Sequence, residues 1–372
     1  MKPSFARLSL MTAFFLAAVA PPAIAEVRFG VGAPITGPDA SFGAQLRNGA
    51  EQAVADINAA GGILGEKVTL RVGDDGADPK QGVSVANKFV GDQVSVVIGH
   101  FNSGVSLPAS DVYAEANILQ ITPGSTNPKI TDRGIETLFR TCGRDDQQGA
   151  VAAKFLAGRG FKKIAIIHDK TTYGKGLADE TRKSLEALGV KDVLYEGINK
   201  GEKDYSAIVS KIKQSGADVI YWGGVHTEGG LLLRQMRDQG VETPMMGGDG
   251  IASDEFAAIA GPGVEGTFMT FPPDPRERPE AAKVVAEFKA KNFNPETYTL
   301  YSYAAVEVVK QAAEAAKSLD AAEIAKTIHS GMVFNTVIGP ISFDKKGDVT
   351  RADYVVFLWK KGPDGKISYY QM

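Results

Sequence analysis

Along this chain the apolar positions switch repeatedly between a period of two and a period near 3.6. Val27-Arg28-Phe29-Gly30-Val31 reads as a first strand. Leu46, Ala50, Ala53, Val54 and Ile57 then share one helix face, and Gly61-Gly62 ends that helix. Val68, Leu70 and Val72 alternate as a second strand. Asp78-Pro79 offers an N-cap and a first helical position to a helix carrying Val83, Ala86, Phe89 and Val90. Residues 94–98 and 118–121 are two further strands. Strict strand–helix alternation predicts a parallel sheet with helices on both faces.

The alternation restarts after Cys142. Residues 150–157 are helical, 163–168 a strand, and Leu177, Leu185 and Leu188 mark the next helix. A strand at 193–195 precedes a helix face of Ile208, Val209 and Ile212. Residues 217–222 form a strand, Leu231, Leu232 and Met236 a helix, and 245–248 a short strand and turn. Two similar α/β units in tandem are expected, without enough identity to make a sequence repeat. Phe271-Pro272-Pro273-Asp274-Pro275 is proline-dense and reads as a crossing between domains. Helices are predicted at 281–291, 298–316 and around 324–328, and closing strands at 337–343 and 354–359.

The N-terminus changes the accounting. Lys2 and Arg7 flank an apolar run at 8–20 that is too short to span a bilayer comfortably, and Ala23-Ile24-Ala25 fits an A-x-A cleavage site. Residues 1–25 are therefore expected to be a signal peptide, and the mature protein to be exported. What remains of the 372 residues exceeds what one hydrophobic core usually serves, so two domains are expected. The formal net charge is -3 and no basic block occurs, which argues against nucleic acid as a partner. No later apolar run reaches membrane-spanning length. Cys142 is the only cysteine, so no internal disulfide can form, and it reads as a small buried hydrophobe.

Two loops carry the candidate chemistry. The strand at 94–98 opens onto Phe101-Asn102-Ser103-Gly104, and the strand at 118–121 opens onto Thr122-Pro123-Gly124-Ser125-Thr126. Ligands of open α/β sheets bind beyond the carboxyl ends of strands. Hydroxyls and free backbone N–H groups there can hold a small carboxylate. Ser103 lies just before a helix predicted at 106–113, whose positive end would favour an anion.

Catalytic motifs fail. Gly30-Val31-Gly32-Ala33-Pro34-Ile35 starts like a dinucleotide fingerprint but ends in Ile and contains Pro. No P-loop and no nucleophile elbow occur, and His100, His168, His226 and His329 lack metal-ligand spacing. Asp74-Asp75 and Asp145-Asp146 are adjacent pairs, which usually point apart. An enzyme is not expected.

Several segments resemble the periplasmic branched-chain amino-acid (Leu/Ile/Val) binding proteins of ABC transporters. They include residues 50–59 with Gly61-Gly62, Asp74-Asp75 with Asp78-Pro79-Lys80-Gln81, and Val97-Ile98-Gly99-His100. Ile121-Thr122-Pro123, Ile166-Ile167-His168-Asp169-Lys170 with Tyr173-Gly174, Gly201-Glu202-Lys203-Asp204, and Gly339-Pro340 with 344–348 extend the likeness over almost the whole mature chain. The resemblance implies a type I periplasmic binding protein: two doubly wound parallel-sheet lobes joined by a three-crossover hinge. The lobes would be 26–143 plus 272–349, and 144–271 plus 350–372.

It also implies the site. Ser103 and Thr126 would bind the α-carboxylate and α-ammonium of an amino acid, with backbone help at Phe101 and Gly124. The second lobe would supply Tyr173, and Asp249 would face the ammonium. A zwitterion in a dry cleft needs donors at one end and an anion at the other.

Departures from the leucine/isoleucine binders bear on the ligand. Ala77 and Asn102 stand where those proteins have a loop disulfide, and Asp249 replaces a glutamate. Phe101 stands where leucine often lines the side-chain pocket, near Tyr298, and Val225 replaces a tyrosine. The expected ligand is a small neutral aliphatic amino acid, with valine, alanine, proline and γ-aminobutyrate joining the branched-chain set. The expected partners are inner-membrane ABC permease subunits, with a monomeric protein and no cofactor or metal. A receptor or sensor subunit and an amide or urea binder of the same fold are the alternatives.

Overall fold

The structure is a computed structural model and describes residues 26–372 except Ala352 and Asp364; the expected signal peptide lies outside them. The first run is β1 (Glu26–Ala33), α1 (Ala40–Ala59), β2 (Lys67–Asp74), α2 (Pro79–Gly91), β3 (Val96–Gly99), α3 (Ser103–Glu115), β4 (Leu119–Thr122) and β5 (Leu138–Arg140). Its five strands form a parallel sheet in the order β2-β1-β3-β4-β5.

The second run is α4 (Asp145–Gly158), β6 (Ile164–His168), α5 (Thr172–Ala187), β7 (Asp192–Gly197), α6 (Ser206–Ser215), β8 (Val219–Gly223), α7 (His226–Asp238), β9 (Met245–Gly247), α8 (Asp254–Ala260) and β10 (Phe268–Phe271). After it come α9 (Ala282–Ala290), α10 (Thr297–Ala316), α11 (Ala321–Ile328), β11 (Phe334–Thr336), β12 (Gly339–Ile341), β13 (Val355–Lys361) and β14 (Ile367–Gln371). The second sheet runs β14-β13-β10-β9-β8-β6-β7, parallel except at one edge, where β13 pairs antiparallel with both β10 and β14. This is the type I periplasmic-binding architecture. The chain passes between the halves after β5, after β10 and after β12.

Local chemistry explains the starts and stops. Asp78 accepts from the N–H groups of Lys80 and Gln81 at 2.9 Å each, and Pro79 opens α2. Gly62 turns the chain after α1 at φ +81°, where a Cβ would lie 2.0 Å from the Glu66 carbonyl oxygen. The apolar face of α1 buries Leu46, Ala50 and Ala53 and packs against α10, so a late segment completes the first half. The central strands β3, β4, β6 and β8 are buried throughout, as parallel strands covered on both faces must be.

Two expectations are corrected, and three strands of the large sheets were not expected. The helix after the first loop begins at Ser103 rather than 106, with Asn102 at the cap position. The segment at 337–343 joins neither large sheet; Phe334–Thr336 pairs with Gly339–Ile341 as a separate hairpin. Gly339 at φ +89° and Pro340 suit a tight reversal better than a central strand. β10 occupies residues for which no element was expected, and its last residue is Phe271, the first of the proline-dense crossing. β5 and β14 were not expected at all.

Candidate ligand-binding cleft

The two loops meet beyond the carboxyl ends of β3 and β4. His100 is fixed first, between Asp75 at 2.6 Å and the Tyr113 hydroxyl at 2.9 Å. Its carbonyl then accepts from the hydroxyls of Thr122 (2.6 Å) and Ser125 (3.0 Å), which ties the loops together. Ser125 Oγ also lies 2.9 Å from the Phe101 carbonyl. Arg140, fully buried on β5, donates to the carbonyls of Ser125 (2.9 Å) and Asn127 (3.2 Å) and pairs with Asp348 at 2.6 Å. A buried ion pair from the late chain therefore shapes the second loop.

Ser103 is the first residue of α3, and the opening N–H groups of a helix have no intrahelical acceptor. Ser103 Oγ accepts from the Asn127 N–H at 3.3 Å, which leaves its own proton free to be donated. Phe101 stacks on Phe42 with centroids 4.2 Å apart and meets Tyr298 edge-on at 5.1 Å. Gly124 is what admits the ring: a Cβ there would lie 2.5 Å from Phe101 Cδ2.

Asp249 follows β9 and is buried to 3% exposure. Its Oδ1 accepts from Gln148 Nε2 (3.0 Å) and the Tyr173 hydroxyl (2.8 Å), and its Oδ2 from the Tyr298 hydroxyl (2.7 Å). Burial raises its pKa, and those hydrogen bonds oppose the rise. The Tyr173 hydroxyl in turn accepts from the Gly250 N–H at 2.8 Å. Gln148 Oε1 accepts from the Asp249 N–H (2.7 Å) and Thr270 (2.8 Å), so this glutamine orients the acid through both ends of its amide. Among the described residues, Asp249 has neutral donors only and no ion pair.

These groups enclose a cavity of about 250 Å³ between the sheets. Phe101, Ser103, Gly124, Tyr173, Val225, Asp249 and Tyr298 line it. Thr126 stands behind the wall, fully buried. Its hydroxyl faces the Asp145 carboxyl without completing a hydrogen bond, and neither side chain finds another partner. Asp145, wholly buried, has its pKa pushed well up by desolvation and by Asp249. Asp146 points away and pairs with Arg144, so the adjacent acids do diverge. Ala77 and Asn102 also line the cavity.

The halves are closed on each other. Tyr298 reaches Asp249 from α10, and Asn127 Nδ2 donates to the Thr172 carbonyl at 2.9 Å. The Thr227 hydroxyl donates to the Pro38 carbonyl at 3.1 Å. Sequence reading missed Gln148 and Arg140. Their partners lie elsewhere in the chain, so no local motif exposes them. No group of acidic, cysteine and histidine side chains able to hold a metal occurs among the described residues, and no described helix is long and apolar enough to cross a membrane.

A cavity between the two sheets with a buried carboxyl at one end and a serine hydroxyl at a helix start at the other has the form of a solute-binding cleft. The family model described as "Periplasmic binding protein" matches residues 26–365, and the chain belongs to that family. It is 57% identical over 349 residues to Leu/Ile/Val-binding protein homolog 1 of Brucella suis, covering 93% of this chain and 94% of the relative. It is 51% identical over 354 residues to an amino acid binding protein of Pseudomonas aeruginosa, covering 94% and 93%. The crystal structure of a leucine binding protein, LivK, from Thermotoga maritima superposes with a TM-score of 0.86 at 29% identity, covering 92% of this chain and 97% of that one. LivJ of Streptococcus pneumoniae in complex with isoleucine gives 0.83 at 26%, covering 94% and 100%.

Proposed function

We propose that this protein binds a small neutral aliphatic amino acid in the periplasm and delivers it to the inner-membrane permease subunits of an ABC importer. The observation that carries the reading is Asp249, a buried carboxyl held by three neutral donors and lining a cavity whose other wall offers a free serine hydroxyl and a helix N-terminus. An α-ammonium supplies the missing positive charge at one end. An α-carboxylate takes the proton of Ser103 and the first N–H groups of α3 at the other. The names of the relatives support the same class.

The lobes in this reading are 26–143 plus 272–349, and 144–271 plus 350–372, with the ligand held between them. Phe101, seated on Phe42 and against Tyr298, narrows the side-chain end of the cavity. That favours valine, alanine, proline or γ-aminobutyrate over leucine and isoleucine. Calorimetry of unfolded, ligand-stripped and refolded protein against an amino-acid panel tests the proposal. Binding of one or more neutral amino acids, lost in Asp249→Asn, supports it; binding of urea or simple amides with no amino acid bound overturns it.

A further inference from the structure

Asp39 lies between β1 and α1, on the side of the five-stranded sheet, and has no solvent exposure. Its Oδ2 takes two donors, Asn102 Nδ2 at 2.9 Å and Lys200 Nζ at 2.6 Å. Asn102 belongs to the same half and immediately precedes Ser103. Lys200 belongs to the opposite half, just after β7, and both it and Asn102 line the rim of the cavity. The ion pair therefore spans the cleft and ends on the loop that carries Phe101 and Ser103.

Lys200 also has acidic neighbours in its own half. Asp169 and Glu228 are both buried and both act on its ammonium. Asp169 Oδ1 accepts from the N–H (2.9 Å) and hydroxyl (2.6 Å) of Thr171, and Glu228 Oε1 accepts from the Gly201 N–H at 3.0 Å. The second oxygen of each has no hydrogen-bond partner. An open cleft would leave Lys200 beside these two carboxylates and return Asp39 to water.

We propose that Asp39 and Lys200 are positioning residues that latch the closed cleft. Asp39 holds Asn102 and with it residues 101–104. Lys200 holds Asp39 from the other half. The pair thus sets how long a ligand stays without contacting its α-carboxylate or α-ammonium. The argument is one of differential desolvation. In the closed form Asp39 is out of water, and without Lys200 it keeps a single neutral donor, a costly state for a buried carboxylate. In the open form Asp39 is hydrated, so losing its partner there costs little. Loss of the pair must therefore shorten the life of the closed state and leave the encounter step nearly unchanged.

The latch rests on the amino-acid reading only for its kinetic probe, which is whichever of L-valine, L-alanine, L-proline, L-leucine, L-isoleucine and γ-aminobutyrate binds refolded wild type most tightly. Stopped-flow binding should show Lys200→Met raising the dissociation rate about tenfold, with the association rate within about twofold; the partial exposure of the lysine keeps the effect modest. Lys200→Arg should recover most of the loss. Asp39→Asn combined with Lys200→Met should cost less than the two single changes summed. A wild-type dissociation rate in Lys200→Met, or strict additivity, overturns the latch while leaving the ligand reading intact. Small-angle scattering of protein purified without denaturation gives an arm that needs no named ligand. Lys200→Asp, which sets a carboxylate against Asp39, should have a larger radius of gyration than wild type. Equal radii overturn the latch even if no panel member binds.

Discussion

The Tyr298 hydroxyl donates to Asp249 Oδ2 at 2.7 Å, across the gap between the two sheets. Tyr298 rides on α10, which packs against α1, whereas Asp249 follows β9 of the other sheet. The bond joins cleft closure to the orientation of the acid. Tyr298→Phe keeps the ring that Phe42 and Phe101 contact and removes only this donor. A hydrogen bond to a charged group contributes about 1.5–3 kcal/mol, so the variant should lose roughly ten- to a hundredfold in amino-acid affinity. Calorimetry reads the loss, and a near-unchanged melting temperature of the ligand-free protein would place it in binding rather than folding.

Ser103→Ala and Thr126→Ala should separate a direct contact from a supporting one. Ser103 has a free proton at the cavity wall, so its loss should weaken binding by roughly ten- to a hundredfold. Thr126 stands behind the wall against Asp145, and its removal should weaken binding less. Both variants should fold, as circular dichroism would show. Wild-type affinity in both would remove the two loops from the binding site.

Asp249→Asn should be the costliest single change, by about 3–5 kcal/mol of binding free energy, because a buried ammonium would lose its anion. The same residue sets a pH dependence. Burial raises its pKa, so in the ligand-free protein it holds a proton over a window extending above the ordinary carboxyl value of 3.8. An arriving ammonium favours the ionised form and expels that proton. Affinity should therefore fall as pH falls through the raised value, and binding in that window should release protons. Asp145, also raised and facing Asp249, works in the same direction. Titrations in two buffers of different ionisation enthalpy would detect the release, and Asp249→Asn should reduce it.

Much of the frame was legible because parallel strands covered on both faces must be apolar throughout, and because the α1 and α2 boundaries are written in glycine and Asp-Pro signals. β5 was hidden because its third residue is Arg140, neutralised by Asp348 more than two hundred residues later. β14 was hidden because only Tyr369 of its five residues is fully buried, as befits an edge strand. The two hydroxyl loops could be seen from strand ends and turn chemistry alone. Tyr173, Asp249 and Tyr298 were singled out only through family resemblance, since nothing local distinguishes a cavity-lining tyrosine from a packed one. Gln148 was missed because it meets Asp249 across 101 positions, and the Asp39–Lys200 pair because it spans 161.

Ligand choice should turn on Phe101. Its ring lies on Phe42, edge-on to Tyr298 and over Gly124, so three neighbours fix it and it cannot swing aside for a bulky ligand. The volume it fills is volume a leucine at this position would cede to the ligand. Valine or a smaller amino acid should therefore bind more tightly than leucine or isoleucine. Phe101→Leu should narrow or reverse that order, since overpacking costs about 1–3 kcal/mol and relief recovers part of it. The stack on Phe42 is lost in the same variant, so melting curves must show that the fold survives before affinities are compared. Val225, on the cavity wall supplied by the other half, is the counterweight: a valine there leaves room into which a larger side chain could shift. Val225→Tyr in the Phe101→Leu background should then penalise isoleucine again. Wild-type protein that prefers isoleucine tenfold or more over valine and alanine would show that the ligand side chain points away from Phe101.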